Sequence, residues 1–293
     1  MKISWVSYLF FVFGFVFFLE TNDQFISRHP SSEKLERHVV FDLDWTLFSE
    51  FDPKIIHPDP ERVFVIEGKS YYLSPYAKEL IRFLHESGIQ ISFFSGGHKE
   101  RNLGLLRQVE IEGLGSFEDI AFKTLHREHL TILSTDESLP FTERYRKDLK
   151  NIHKNLDEII ILDDDFRFIV NSDQKKNMFW LGPTYQVLES YDQLPLYANT
   201  STTYLPATEE AFDLAKNKLL VIKEALREAM FLQDAKKISW REAVFQVQEK
   251  LQFKSAKYNQ YSLNLKRKGM INKIQPTHKV TNCQEMMLPF VRL

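Results

Sequence analysis

Asp42 and Asp44 stand two residues apart in HVVFDLDWTLFSE (residues 38–50), where Val39, Val40 and Phe41 lead in and Trp45, Leu47 and Phe48 lead out. An ionised carboxylate removed from water costs several kcal/mol unless something compensates it. Two of them within one apolar run therefore imply a partner of opposite charge. A second acidic group, Asp163, Asp164 and Asp165, follows the apolar run EIIIL at residues 158–162, and Ser95, Gly96 and Gly97 follow IQISFF at residues 89–94. Clustered carboxylates repel one another unless a cation sits among them. An all-oxygen set suits Mg2+, which keeps several waters and takes one or two carboxylates plus a phosphate. The chemistry that these residue types support is metal-assisted work on a phosphoryl group.

Such residues act together only if separate elements bring them to one place. The apolar runs at residues 39–41, 89–94 and 158–162 are short enough for buried strands, and helical patterns lie between them. Ser74 and Pro75 read as an N-cap and first-turn pair for a helix that Gly88 ends, a second helix is predicted over residues 98–110, a strand over DIAFKTL at residues 119–125, and a basic helix from Arg144 to Asn155. VFVIEGKSYYL, residues 63–73, has the form of a β-hairpin. Alternating strands and helices imply right-handed crossovers, hence an α/β, doubly wound, Rossmann-like parallel sheet with helices on both faces. Ligands in such sheets bind at the carboxyl ends of the strands, where Asp42, Asp44, Ser95, Asp163 and Asp164 all fall.

FDLDWTLF resembles the D-x-D-x-T signature of the haloacid dehalogenase (HAD) superfamily of phosphotransferases. SFFSGGH resembles its second motif, and YRKDLKNIHKNLDEIIILDDD its lysine-bearing segment, hydrophobic strand and closing acidic pair. The order of motifs, over about residues 38–198, is similar to that of the small capless phosphatases of the carboxy-terminal-domain phosphatase and nuclear-LIM-interactor-interacting-factor-like type. The resemblance implies a nucleophile at Asp42, a general acid and base at Asp44, and a charge-neutralising lysine at Lys147, with Lys150 and Lys123 as neighbours that could take its place. It implies phosphate contacts from Ser95, Gly96 and the loop that holds Thr46. Mg2+ would be held by Asp42, the Asp44 carbonyl and Asp164, with Asp163 as an adjacent or alternate acid. Two departures stand out. Trp45 occupies a position that is often small or acidic in relatives, so it is a candidate for substrate contact, and Asp165 could shift the metal-ligand frame by one. His98, His126 and His129 are expected to be surface or loop residues.

The intervals from Asp44 to Ser95 and from Ser95 to Lys147 are used up by the predicted hairpin, helices and strand, so no large cap is expected. An open site admits a phosphorylated protein side chain, whereas a small metabolite usually needs a lid. The expected activity is therefore that of a phosphoprotein phosphatase, on phosphotyrosine or phosphoserine and phosphothreonine. An exported phosphomonoesterase for nucleotide-like substrates and a non-enzymatic lipid- or partner-binding scaffold are the alternatives.

Outside this core the chain changes character. Ile3 to Leu19 carries no charge, which suits a membrane anchor at residues 1–20 or, if cleaved, a signal segment leaving a secreted or periplasmic protein. Membrane association is the expectation, and a likeness to secreted effector phosphatases of intracellular bacteria rests on analogy alone. Residues 21–37 read as a linker, 38–200 as the phosphatase domain, 201–255 as a helical region with a capping box at Ser239 and Glu242, and 256–293 as a tail. Residues 254–279 hold seven lysines and arginines and no acid, a surface suited to anionic lipid. A net charge of −2 argues against nucleic acid as a partner, and the single cysteine, Cys283, excludes an internal disulfide and a thiolate zinc site.

Overall fold

The structure is a computed structural model, and it describes residues 36–53, 58–181, 212–213 and 216–251. The expected anchor, almost all of the linker, the start of the helical region and the basic tail lie outside the described residues. Among the described residues no helix is long and apolar enough to cross a membrane.

Five parallel strands form the central sheet: β1 (His38–Phe41), β5 (Gln90–Phe94), β6 (Lys123–Leu125), β7 (Ile159–Asp163) and β8 (Met178–Trp180), in the order β8-β7-β1-β5-β6. The strand that carries the first aspartates is thus the middle one. Between β1 and β5 run β2 (Phe48–Phe51), β3 (Val63–Ile66) and β4 (Lys69–Leu73), a separate antiparallel sheet in the order β2-β4-β3. The β3–β4 turn uses Glu67 and Gly68, both at positive φ, as a two-residue hairpin turn with right-handed strand twist requires.

Alternation along β1 divides the protein into two cores. Val39 and Phe41 face a large cluster that also takes Ile91, Phe93, Ile160 and Leu162 from neighbouring strands. That cluster is covered by α1 (Ala77–Glu86), α2 (Lys99–Gln108), α3 (Lys218–Lys236) and α4 (Trp240–Leu251). Leu219, Ile222, Leu226, Trp240 and Val244 from α3 and α4 are buried in it, so these helices complete the same core as the sheet. Val40, Ile159, Ile161 and Phe94 face the other way, onto Leu130, Leu149, Ile152, Phe168 and Ile169. The second helical layer expected there is built, among the described residues, from 3-10 turns and loops.

Three local expectations need correction. The Arg144–Asn155 stretch is a one-turn helix to Arg144, a two-residue strand at Tyr145–Arg146 and a 3-10 turn at Leu149–Asn151. Its ladder is taken elsewhere: Lys147 N–H donates to Phe168 C=O and Val170 N–H to Lys147 C=O, while the Asp148 carboxylate accepts from Lys150 N–H. Ser74 does not cap α1, because its hydroxyl donates to the Thr46 carbonyl at 2.8 Å and Tyr76, at φ 64, precedes the first helical residue. The predicted strand at residues 119–125 begins as a one-turn helix, Phe117–Ile120, closed by a capping box between Ser116 and Asp119. Only residues 123–125 pair with β5.

At the end of the sheet opposite the aspartates, His38 is buried, with Nε2 2.8 Å from Ser92 Oγ and no partner for Nδ1. Burial, then the nearby His153, pulls its pKa down to about 4. A folded-state value below the unfolded one means that the unfolded chain binds more protons, so stability present above pH 6.5 is lost as pH falls towards 4. The expected difference across that window is about 3 kcal/mol. Urea unfolding of wild type and His38→Phe between pH 7.5 and pH 4 checks this, and the variant should show a shallower decline.

Candidate active site

The sheet register builds the site. In the β1–β7 pairing Val40 lies opposite Ile161 and Phe41 opposite Leu162, and Asp42 N–H continues the ladder to Leu162 C=O. One residue further on, Asp42 and Asp163 are neighbours, both on the face of Val40 and Ile161. Both are buried, at 4% and 0% exposure, and the half-buried Asp164 completes a group of three carboxylates whose ligand atoms lie within 4.8 Å of one another.

Lys147 is the counter-charge. It is fully buried, and its ammonium donates to Asp42 Oδ1 at 2.6 Å and to Asp163 Oδ2 at 2.7 Å, with the Phe168 ring centroid 4.6 Å away. Lys123 instead reaches the Asn151 carbonyl at the surface, and Lys150 is exposed. Asp163 is the most engaged of the three, because its other oxygen accepts from Asp165 N–H at 2.9 Å. Asp165 pairs with Arg167 at 2.8 Å and stands outside the trio. That leaves Asp42 and Asp164 with capacity for a further ligand.

The charges do not balance. One ammonium contacts two carboxylates with a third beside them, so burial, partly offset by Lys147, pushes Asp42 up to about 8, and burial raises Asp163 and Asp164 as well. Lys147 is raised to about 12 by Asp163 and Asp42 against the opposing effect of burial. A second buried lysine, Lys218 at the start of α3, is pulled down to about 7 by burial, against the opposing effect of Asp164. The residual negative charge, on oxygen donors alone, fits a hard divalent cation.

Asp44 faces elsewhere. After Asp42 the chain turns sharply, with Trp45 at φ 57 and Leu47 and Phe48 N–H groups both donating to Leu43 C=O. A non-glycine residue in the left-handed region is strained, and such strain collects at functional loops. The turn carries the Asp44 carboxylate out of the trio, to Ser95 Oγ at 3.0 Å and Arg101 Nη2 at 2.7 Å. Ser95 is buried at the end of β5 and its hydroxyl also accepts from Gly97 N–H at 3.0 Å. Thr46 is buried under the turn, with its carbonyl held by Ser74. Gly96 is needed as glycine, since a Cβ there would lie 2.7 Å from the Phe141 ring. Trp45 is half-buried beside this loop. Of the histidines, His98 and His129 are exposed, and His126 is buried in its loop against Asn102.

Sequence reasoning missed Arg101, Tyr71 and Lys218. Arg101 alone could have been found, as a basic residue one turn into the helix that follows Ser95-Gly96-Gly97.

Residues 37–180 match the NLI interacting factor-like phosphatase family. The chain carries a phosphatase domain of this family. The domain ends at Trp180, so α3 and α4 lie beyond it although they share its core. Among solved structures, the chain is similar to a variant of the fission yeast RNA polymerase II CTD phosphatase Fcp1 bound to beryllium fluoride, at 13% identity and TM-score 0.38, covering 89% of this chain and 71% of that one. A second Fcp1 structure, described as an essential RNA polymerase II CTD phosphatase, gives 16% identity and TM-score 0.35 over the same shares. No curated protein matches the chain. The phosphatase domain is an α/β, Rossmann-like fold of the HAD type, and it makes the protein a phosphoric monoester hydrolase.

Removing Lys147 tests the charge arrangement. Lys147→Met leaves two buried carboxylates facing each other and should cost about 3–5 kcal/mol of stability at pH 7.5. Urea denaturation checks it. Adding Asp163→Asn to Lys147→Met should recover part of the loss, because the second change removes one of the orphaned charges.

Proposed function

We propose that the protein is a Mg2+-dependent phosphoprotein phosphatase that works through an aspartyl-phosphate on Asp42. The observation that carries this reading is the buried group of Asp42, Asp163 and Asp164 around Lys147. Asp42 attacks phosphorus as the ester bond to the leaving oxygen breaks. Lys147 holds it in place and offsets the charge that gathers on the transferring group. Asp44 gives a proton to the leaving oxygen and then takes one from the water that hydrolyses the phosphoenzyme. Ser95, Gly96 and the Asp44–Leu47 turn face the phosphoryl oxygens, and Thr46 keeps the turn in shape. Asp42 and Asp164, with the Asp44 carbonyl, would hold Mg2+, and Asp163 supports them through Lys147. The ion supplies compensation for negative charge on the phosphoryl oxygens.

A protein substrate is favoured because, among the described residues, the intervals after Asp44 and Ser95 hold a three-stranded sheet, helices and short hairpins, and no separate cap closes the site. Trp45 is placed in this reading as a residue that meets the substrate beside the phosphoryl group. The uncharged stretch Ile3 to Leu19 supports membrane association, with residues 254–279 as a further contact for anionic lipid.

A panel of phosphotyrosine, phosphoserine and phosphothreonine peptides, run beside nucleotides, tests the assignment. Wild type with Mg2+ should turn over at least one peptide class faster than any nucleotide. Asp42→Asn should reduce that turnover by about 10³-fold or more. Preference for nucleotides would replace the protein substrate with a small one, and full activity of Asp42→Asn would remove the nucleophile from this site.

A further inference from the structure

The reaction above gives Arg101 no part, although Arg101 is the residue most closely engaged with Asp44. It lies on α2, one turn past the glycine pair, and its Nη2 is 2.7 Å from each Asp44 oxygen. The Ser95 hydroxyl adds a third hydrogen bond to that carboxylate. The arginine is held from other directions as well. Its guanidinium lies over the Tyr71 ring of β4, 5.6 Å from the centroid, and a Cβ on Gly97 would collide with it. Its side chain is 14% exposed, and Nη1 is buried with no hydrogen-bond partner. Ordering a side chain this long costs rotamer entropy, and exposed ion pairs offset little of it. An aromatic support and a glycine berth are features of a built position, not of an incidental surface pair.

What that position achieves follows from where Asp44 would otherwise go. It lies two residues after Asp42, on a turn next to three carboxylates that fit a divalent cation. Such a cation attracts any carboxylate within reach, and a carboxylate bound to it no longer delivers a proton to a leaving oxygen. We propose that Arg101 is a positioning residue that keeps the Asp44 carboxylate out of the metal-ligand set and available to the leaving group. The second sheet thereby acts on the reaction, through Tyr71 and then Arg101. This inference rests on the phosphatase reading for its kinetic consequence, and on the carboxylate geometry alone for its metal-binding consequence.

The test uses full-length protein, para-nitrophenyl phosphate as substrate, and calorimetric titration of Mg2+ without substrate, for wild type, Arg101→Met and Arg101→Lys. Arg101→Met should lower kcat about tenfold or more with KM changed less than about threefold, and should bind Mg2+ about threefold or more tighter as Asp44 joins the ligands. Arg101→Lys should recover part of kcat and part of the wild-type Mg2+ affinity. A purely structural role would weaken Mg2+ binding or leave it unchanged. Unchanged kcat in Arg101→Met, a loss confined to KM, or Mg2+ affinity that fails to rise would each overturn the proposal. If Arg101→Met does not fold, Arg101→Lys decides by the same signs with smaller changes. If wild type turns over no phosphate ester, the phosphatase reading fails by itself, and the Mg2+ titrations still decide where Asp44 sits.

Discussion

One ammonium buried between two carboxylates sets the terms for the rest of this protein. Lys147 touches Asp42 and Asp163 with no access to water, and Asp164 adds a third acid to the group. A buried ion pair seldom stabilises a fold relative to apolar packing, and a group with excess negative charge costs more. A chain that accepts this cost at the centre of its sheet does so for chemistry. In the proposed reaction, the charge imbalance that raises the carboxylate pKa values is what a divalent cation and a transferring phosphoryl group would balance together.

The fold is arranged to deliver that cluster. Parallel pairing of the first and seventh strands puts Asp42 beside Asp163 without help from any loop. The lysine arrives from a stretch that forgoes a helix so that its backbone can pair with residues 168–170. On the opposite face of the sheet, helices from both sides of the phosphatase-domain boundary share one apolar core. The face that carries the acids is closed by turns and aromatic side chains, which leaves the strand ends accessible.

The acids, Ser95 and the parallel sheet were legible in the sequence because each combines a short apolar run with a polar residue at its end. Two signals, strand and site, coincide there. Lys147 was legible only through the resemblance, since its basic neighbours Lys150 and Lys123 offer the same local pattern. Its selection is a matter of long-range pairing with Phe168 and Val170. The helix read over Arg144–Asn155 failed for the same reason: local propensity lost to a tertiary bridge and to the Asp148 side chain. Ser74 looked like a cap and instead holds Thr46, twenty-eight residues away. Tyr71 and Lys218 carried no local signal, because each matters only through a partner far off in the chain, and Arg101 offered only its place one turn into the helix after the glycine pair.

In the proposed reaction the buried carboxylates hold one divalent cation, with Asp164 among its ligands. Thermal unfolding of wild type and Asp164→Asn, with and without Mg2+, tests it most directly and needs no substrate. Binding to the folded state alone raises the unfolding temperature with ligand concentration. The unfolding temperature of wild type should rise with Mg2+, and Asp164→Asn should lose most of that rise. A wild type indifferent to Mg2+, or an equal rise in both proteins, would contradict it.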